Sequence, residues 1–302
     1  MKKMPVILDC DPGIDDALAM LIMYQNKEMF DLKLISASAG NTPIDVTTKN
    51  IQFFAEKFFN GVKVAKGIGK PLKVVHPETA EDVHGVGGLG NYQIPEQDYP
   101  YEEDSVEVMY KTICDSKEKM NLIVIGPQTN IAKLIQTHPD VISKIERIYA
   151  MIGSINGIGN VRPYAEFNAF FDPDAFKIVS MSGIPMTINP MELGHNSRLK
   201  KSIFASANAK NDIQRMIQSI IDGLYEWRDP SLVSIFDLHT VYSIVKPELY
   251  DFVPCDVNVT LDGEKDGECF LNENPNAKNY YISLKNPAEA NGEILEDLFS
   301  ME

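Results

Sequence analysis

The chain has 302 residues, of which 44% are hydrophobic and 24% charged, a balance typical of a globular protein with a large buried core. Its 43 acidic and 28 basic residues give a formal net charge of −15, which argues against a nucleic-acid partner because phosphate backbones attract basic surfaces. The first apolar run stops at Asp9, short of a signal-peptide core or a membrane span, so we expect a cytoplasmic protein without a membrane partner. Cys10, Cys114, Cys255 and Cys269 form no CxxC pair and are expected to be reduced thiols.

Short apolar runs rich in β-forming residues alternate along the chain with segments of helical pattern. The runs cover residues 6–8, 32–38, 62–65, 122–125, 145–152 and 186–188. Because parallel strands need crossover helices, this alternation predicts an α/β fold with an open, mostly parallel sheet and helices on both faces. No repeat or low-complexity tract is visible, and we expect a single domain over residues 1–302.

Two helical patterns and two loop-rich stretches lie between these runs. Residues 42–59 carry apolar side chains at helical spacing, and Thr42 is suited to cap this helix. Residues 203–227 form a second, longer helical pattern. Glycine, proline and asparagine are frequent in residues 66–104 and 262–278, which are predicted to be loops or small insertions.

The first apolar run leads into a cluster of carboxylates. Around the Pro12-Gly13 turn, four acids fall within eight residues: Asp9, Asp11, Asp15 and Asp16. Open parallel sheets bind ligands beyond the carboxyl ends of their strands, so we expect the chemistry here. Acids that merely cap a helix would account for one or two of these residues, but not for four. Since the charges repel one another and no histidine or cysteine pair is grouped with them, the cluster predicts oxygen ligation of Ca²⁺ or Mg²⁺.

The segment DCDPGIDDA resembles the N-terminal signature of the inosine-uridine-preferring nucleoside hydrolases, which are metal-dependent N-ribohydrolases with an open α/β fold and a Rossmann-like core. Similar motifs follow in the family's order and span most of the chain: AGN ending at Asn41, HGVGGLG from His84, GPQTNIA from Gly126, AEFN from Ala165 and DPDA from Asp172. The resemblance implies calcium-dependent hydrolysis of the N-glycosidic bond of a ribonucleoside to free base and ribose, in nucleoside salvage. It also implies a homodimer or homotetramer.

The resemblance assigns site residues position by position. It implies that the Ca²⁺ ligands are Asp11, Asp16, the Thr129 carbonyl and Asp237, and that Asp11 is the general base that activates water. It implies that the ribose is bound by Asp15, Asn41, Met151, Asn160, Glu166 and Asn168. Taken singly, Thr129 and Asn168 fit a helix cap and a loop equally well. The alternate spacing of Glu166 and Asn168 places both on one side of an extended segment, which favours the site.

The chain departs from the family at the group that helps the base to leave. Many members carry a histidine directly before the late metal-binding aspartate, whereas Phe236 precedes Asp237 here. Loss of that imidazole argues against purine nucleosides that depend on protonation of the base, so a pyrimidine or a modified base stacked on Phe236 is favoured. His84 is the best candidate for a base contact, although it fits the role of a loop anchor equally well, and His195 is similar. His239 is a further candidate, although a histidine there also fits a packing role.

The other base-pocket candidates are aromatic or cationic side chains: Phe167, Tyr225, Trp227 and Arg228. The last three lie at the end of the long helical pattern, in a region that resembles the part of the family contributing base contacts. An aromatic residue packed on the core and a solvated arginine are the ordinary interpretation of each one alone.

Two other functions compete with the hydrolase. A non-catalytic ribose or nucleoside binder would keep the metal and sugar residues without a leaving-group acid, but it would not need Asp11. A Mg²⁺-dependent phosphohydrolase of the haloacid-dehalogenase type also begins with an Asp-x-Asp pair, but Gly13 stands where that family has threonine or valine. An EF-hand is excluded, because Met20 occupies the position of the bidentate glutamate.

Overall fold

A computed structural model describes residues 2–73, 79–96, 99–206, 209–224 and 230–301. Within these residues, the strands form a nine-stranded sheet and a separate two-stranded ladder. The strands are β1 (Met4–Cys10), β2 (Phe30–Ala37), β3 (Val64–Ala65), β4 (Met120–Val124), β5 (Ile145–Met151), β6 (Met186–Asn189), β7 (Leu199–Lys200), β8 (Leu232–Val233), β9 (Tyr250–Val259), β10 (Cys269–Glu273) and β11 (Asn279–Leu284).

Helices connect most of these strands. They are α1 (Ile14–Gln25), α2 (Ile44–Phe58), α3 (Glu81–His84), α4 (Ser105–Asp115), α5 (Thr129–Thr137), α6 (Phe167–Phe171), α7 (Pro173–Ser180), α8 (Met191–Asn196), α9 (Lys201–Ser206), α10 (Asp212–Asp222), α11 (Asp237–Val245) and α12 (Pro287–Phe299). Short 3-10 helices cover Pro139–Lys144 and Pro247–Leu249. Among the residues described, no helix is both long enough and apolar enough to cross a membrane.

The large sheet has the strand order β10-β9-β11-β6-β5-β4-β1-β2-β3. Every neighbouring pair from β11 to β3 is parallel, and β9 runs antiparallel to both β10 and β11. All six predicted strands are present and lie in the parallel part. The prediction of an open, mostly parallel α/β sheet is therefore confirmed.

Both faces of the sheet are covered. Along β1, Val6 and Leu8 contribute to the core on the side of α1, α2, α10, α11 and α12, whereas Ile7 contributes to the core on the side of α4, α5 and α7. All three side chains are completely buried, which explains why β1 has a continuous apolar sequence instead of alternating polar and apolar residues.

The strand order reverses at β1, and this reversal determines where a ligand can bind. From β1 the chain passes to β2 and β3 on one side, and then crosses to β4 and β5 on the other. The connections leaving the carboxyl ends of β1 and β4 therefore diverge and leave a crevice between them. The aspartate-rich turn after β1 lies at this crevice.

The local predictions fail at three places. Thr42 does not cap α2: the helix begins at Ile44, and Pro43 takes the N-cap position without a side-chain capping bond. Proline disfavours helical geometry in the residue before it, so Thr42 is kept outside the helix. The pattern over residues 203–227 is not one helix, because α10 makes a fresh start where the Asn211 side chain accepts the Gln214 N–H at 2.9 Å.

The third difference lies in the C-terminal quarter of the chain. The stretch 262–278, predicted as a loop, contains the edge strand β10, which pairs with β9 over five residues. In this antiparallel part of the sheet, exposed and buried side chains mix along each strand. The apolar runs that identify the parallel strands are therefore missing.

Candidate active site

Asp11 directly follows β1 and lies between the connections that leave β2 and β4. Its Oδ2 accepts the Asn41 N–H at 2.7 Å, whereas its buried Oδ1 has no hydrogen-bond partner among the described residues. A Cβ on Gly126 would lie 2.5 Å from that Oδ1, and a Cβ on Gly40 would collide with Oδ2. Because both positions are glycine, the backbone segments after β2 and β4 can both approach the Asp11 carboxylate closely.

Asp16 folds back over the turn that precedes α1. Its Oδ2 accepts the Gly13 N–H at 2.9 Å and the Asn41 side-chain N–H at 3.1 Å, and its Oδ1 accepts the Asp11 N–H at 3.3 Å. The negative charge at the start of the helix is also favourable to the helix dipole. The side chain is completely buried, so its position is fixed from several directions.

Asp237, the first residue of α11, brings a distant part of the chain to this cluster. One carboxylate oxygen from each of Asp15, Asp16 and Asp237 lies within 4.8 Å of the others, and all three residues are buried. No ordinary helix cap gathers three carboxylates from two helices in this way. The grouping is that of an oxygen site for a hard cation.

The electrostatics of the cluster disfavour three ionised carboxylates without a counter-charge. Burial, followed by the charge of Asp15, raises the pKa of Asp16 to about 7. Burial and the neighbouring carboxylates likewise raise the pKa values of Asp11 and Asp237 well above the usual range for aspartate. A divalent cation would offset both causes.

Thr129 and Asn130, at the start of α5, do not cap their own helix. The Thr129 hydroxyl donates to Asp172 at 2.7 Å. The Asn130 amide donates to the Asp9 carboxylate at 2.9 Å and to the Ala37 carbonyl at 2.8 Å, so it ties together the ends of β1 and β2. The capping alternative for Thr129 is therefore wrong.

Glu166 and Asn168 form a second polar group beside the carboxylates. Glu166 caps α6 by accepting the N–H groups of Asn168 at 2.8 Å and Ala169 at 3.1 Å, and it also accepts the Gly153 N–H at 2.8 Å. Burial raises the pKa of Glu166 to about 7. The Asn168 amide donates to the carbonyl oxygens that follow β4 and end β5, both at 3.0 Å.

One cavity opens onto these groups. It is lined by all six residues that were predicted to bind ribose and by one predicted metal ligand: Asp15, Asn41, Met151, Asn160, Glu166, Asn168 and Asp237. Asp11, Asp16 and Thr129 do not line it. Asp11 and Asp16 lie buried next to the cavity lining, because both are hydrogen-bonded to Asn41.

The rest of the cavity lining is mostly apolar. It includes three predicted base-pocket residues, His84, Phe167 and Phe236. It also includes His195 and a set of residues that the sequence did not single out: Ala80, Val83, Ile125, Val161, Leu224 and Ser234. No motif marks these small and aliphatic side chains, although Val83 and Ser234 lie within two residues of His84 and Phe236.

Phe236 and His195, which both line the cavity, pack together. Their ring centroids are 5.4 Å apart at an interplanar angle of 79°, and a Cβ on Gly194 would overlap the Phe236 ring. The Phe236 N–H donates to the Asp15 carboxylate at 3.3 Å. The Phe236 backbone is therefore connected to one of the clustered carboxylates.

The expectation that His239 reaches the pocket is wrong. Its ring is buried, with Nε2 2.8 Å from the Ser197 hydroxyl and Nδ1 2.9 Å from the Tyr250 hydroxyl, and it does not line the cavity. Both ring nitrogens are occupied by core hydroxyls, so His239 is a packing residue. Tyr225, Trp227 and Arg228 lie outside the described residues.

Comparisons with known proteins agree with this geometry. A family model described as inosine-uridine preferring nucleoside hydrolase matches residues 6–295. The pyrimidine-specific ribonucleoside hydrolase RihA of Escherichia coli O81 (strain ED1a) is 34% identical over 269 residues, with 86% of each chain covered. The plant nucleoside hydrolase PpNRh1 shares the fold with a TM-score of 0.91 at 21% identity, covering 99% of this chain and 100% of that chain. The purine-preferring ribonucleoside hydrolase from Gardnerella vaginalis gives a TM-score of 0.89 at 21% identity, covering 98% of both chains.

Fold, site and similarity define an N-glycosyl hydrolase with a carboxylate cluster suited to a metal ion. More particularly, the chain belongs to the inosine-uridine preferring nucleoside hydrolase family.

Proposed function

We propose that this protein is a calcium-dependent hydrolase of pyrimidine ribonucleosides. The observation that carries the proposal is the lining of a single cavity, which combines carboxylate and amide side chains with aromatic and aliphatic ones. The polar groups suit a polyhydroxylated sugar, and the apolar ones suit a flat base. The 34% identity to a pyrimidine-specific relative supports the choice of base.

The residues present fit a divalent metal ion. The unpartnered Oδ1 of Asp11 is a buried acceptor that needs a positive partner, and the carboxylates grouped nearby, Asp15, Asp16 and Asp237, offer oxygen ligands. We infer that Asp11, Asp16, the Thr129 carbonyl and Asp237 would hold Ca²⁺, since this ion prefers several oxygen ligands. When bound, the ion lowers the pKa of a coordinated water and binds hydroxyl oxygens.

The protein's own groups perform the remaining tasks. Asp15, Glu166 and Asn168 hold the ribose hydroxyls and so fix the position of the anomeric carbon relative to the carboxylate cluster. Asp11 accepts the proton of the attacking water as the C–N bond lengthens. The carboxylates also stabilise the positive charge that develops on the sugar in an oxocarbenium-like transition state.

The leaving base sets the substrate preference. At Phe236 the cavity offers an aromatic ring where many relatives have an imidazole acid, so this position can pack against a base but cannot protonate it. A pyrimidine, which leaves as an anion with its charge spread onto exocyclic oxygen, depends less on such an acid than a purine does. We therefore place uridine and cytidine ahead of inosine.

A substrate panel tests this proposal. Ribose release is measured for uridine, cytidine, inosine and modified nucleosides, with and without a calcium chelator. We expect pyrimidine ribosides to be cleaved only when the metal is present, and faster turnover of inosine than of uridine would overturn the base preference.

Asp11→Asn separates an enzyme from a nucleoside binder. We expect turnover to fall by at least about 10³-fold, because the general base that accepts the proton of the water is lost. Isothermal calorimetry should still detect nucleoside binding. Asp45→Asn, in an exposed carboxylate that pairs with Lys66, is the matched control and should retain activity. A wild-type protein that binds nucleosides without cleaving any of them would establish the binder instead.

We also infer a single domain, because the large sheet joins β1 near the beginning of the chain to β11 near its end. The homodimer or homotetramer implied by the family is a further proposal. Light scattering of the purified protein tests the subunit count.

A further inference from the structure

Phe236 is held at its backbone as well as at its ring. Its N–H donates to the Asp15 carboxylate at 3.3 Å, and its carbonyl oxygen accepts the Asn189 side-chain N–H at 2.6 Å. The same oxygen accepts the His239 N–H at 3.1 Å, which closes the first turn of α11. Both polar groups of the Phe236 backbone therefore have partners, and one of these partners, Asn189, lies in no motif that the sequence marks.

Asn189 ends β6, and its own backbone is anchored there. It pairs with Met151, the last residue of β5, and its carbonyl oxygen accepts the Ile152 N–H at 3.2 Å. Met151 lines the cavity, so the Asn189 side chain starts from a strand end beside the cavity wall. Because β6 lies inside the nine-stranded sheet, it holds a side chain more precisely than a loop would.

The contacts of the Asn189 amide fix its orientation. A carbonyl oxygen only accepts, so the amide nitrogen must face Phe236, and the same nitrogen donates to Thr240 Oγ1 at 3.1 Å. Asn189 Oδ1 is then buried without a partner among the described residues. A buried acceptor in this state costs free energy, which an apolar side chain at the same position would avoid. Stability alone does not account for an asparagine here.

We propose that Asn189 is a positioning residue, which fixes the peptide between Phe236 and Asp237 and thereby places the Asp237 carboxylate in the metal site. This inference rests on the proposed function, because Asp237 is one of the residues inferred to bind Ca²⁺. Asn189 itself does not line the cavity. It acts through a residue whose ring forms part of the cavity wall and whose neighbour belongs to the carboxylate cluster.

Asp237 depends on such a bond because it is the first residue of α11. The start of a helix lacks the internal hydrogen bonds that hold its middle, so groups outside the helix must fix it. Phe236, at the N-cap position, makes no side-chain capping bond. The bonds from Asn189 and to Asp15 lead to two different elements, β6 and α1, and together they hold this helix start.

Three variants separate the bond to Phe236 from the other bond of the same amide. Asn189→Leu has a similar branched shape but removes both donors. Thr240→Val removes only the other partner and leaves the Phe236 carbonyl bonded, so it is the matched control. Asn189→Asp can still accept the Thr240 hydroxyl proton, but its ionised carboxylate offers no donor to Phe236. Urea denaturation of each variant establishes conditions in which it is folded.

For Asn189→Leu, we expect the Ca²⁺ dissociation constant from calorimetry to rise about 10- to 100-fold, as on loss of a partner that orients a metal ligand. At saturating Ca²⁺, kcat for uridine should return to within about 3-fold of the wild type, because the bound ion then holds Asp237 itself. Asn189→Asp should also bind Ca²⁺ more weakly, although its added charge alone would attract the ion. Thr240→Val should stay within about 3-fold of the wild type in affinity.

Several results would overturn the inference. They are wild-type Ca²⁺ affinity in both Asn189 variants, an equal loss of affinity in Thr240→Val, and a loss of kcat in Asn189→Leu that saturating Ca²⁺ does not restore. If neither Asn189 variant folds while Thr240→Val does, Asn189 serves the fold and the inference is also overturned. A wild-type protein that binds no Ca²⁺ and cleaves no riboside would instead refute the proposed function, and this inference with it.

Discussion

The Asp11 carboxylate is the group on which the proposed mechanism depends most. One of its oxygens is held by a backbone N–H, and the other is buried without a partner among the described groups. A buried acceptor of this kind costs free energy unless something positive approaches it. The backbones of Gly40 and Gly126 lie so close to this carboxylate that a Cβ at either position would collide with it.

Gly126→Ala tests this packing. The new Cβ would meet Asp11 Oδ1 at 2.5 Å, so the carboxylate must move. A displacement of this size at the proposed general base should lower kcat by about 10²-fold or more, and we expect that loss with uridine in steady-state kinetics. Activity within about 3-fold of the wild type would show that the position of Asp11 is not critical.

At the level of elements, α1, α5 and α11 carry the predicted metal ligands Asp16, Thr129 and Asp237 in their first turns, whereas α12 carries no predicted site residue. Gly292 is in the middle of α12, is exposed, and has no atom within 4 Å of its would-be Cβ. Glycine inside a helix is destabilising relative to alanine because it loses more backbone entropy on folding.

Gly292→Ala should therefore increase the free energy of unfolding by about 0.5–1 kcal/mol, measured by urea denaturation, without a change in kcat. It serves as the control for Gly126→Ala, since both replace the same residue type by the same side chain. A destabilised Gly292→Ala variant would contradict the packing described for α12.

The elements that could be predicted from the sequence are those with a continuous local signal. Strand β1 is apolar throughout because both of its faces are buried, and the aspartates after it are neighbours in sequence. Strands β9 and β10 mix exposed and buried residues and gave no such signal. The break between α9 and α10 depends on a single cap at Asn211, which a long helical pattern obscures.

At the level of the molecule, the site unites residues that are far apart along the chain. The motifs and the family resemblance identified Asp15, Asn41, Glu166 and Asp237 separately, and all four line one cavity. The bond between Ile14 and His84 joins residues 70 positions apart, and the burial of His239 depends on hydroxyls from two other elements. Such contacts follow from the packing of the whole chain and have no local pattern.

Burial of the thiols gives a prediction about the folded state as a whole. Cys10, Cys255 and Cys269 are buried, and only Cys114 is half-buried. Burial raises the pKa of Cys255 to about 11 and that of Cys269 to about 12, so little thiolate forms at pH 8. We expect one fast-reacting thiol per native chain with Ellman's reagent and four after denaturation in guanidinium chloride. Two or more fast thiols in the native protein would contradict this burial.

We propose that buried oxygens from the ends of several strands and helices hold a calcium ion without which ribosides are not cleaved. The most direct measurement titrates Ca²⁺ into chelator-treated protein, and follows ribose release from uridine and heat of binding in the same samples. We predict no release at the start, and recovery that follows the binding isotherm and saturates at one ion per chain. Full activity in the chelator-treated protein, with no ion bound, would contradict the account.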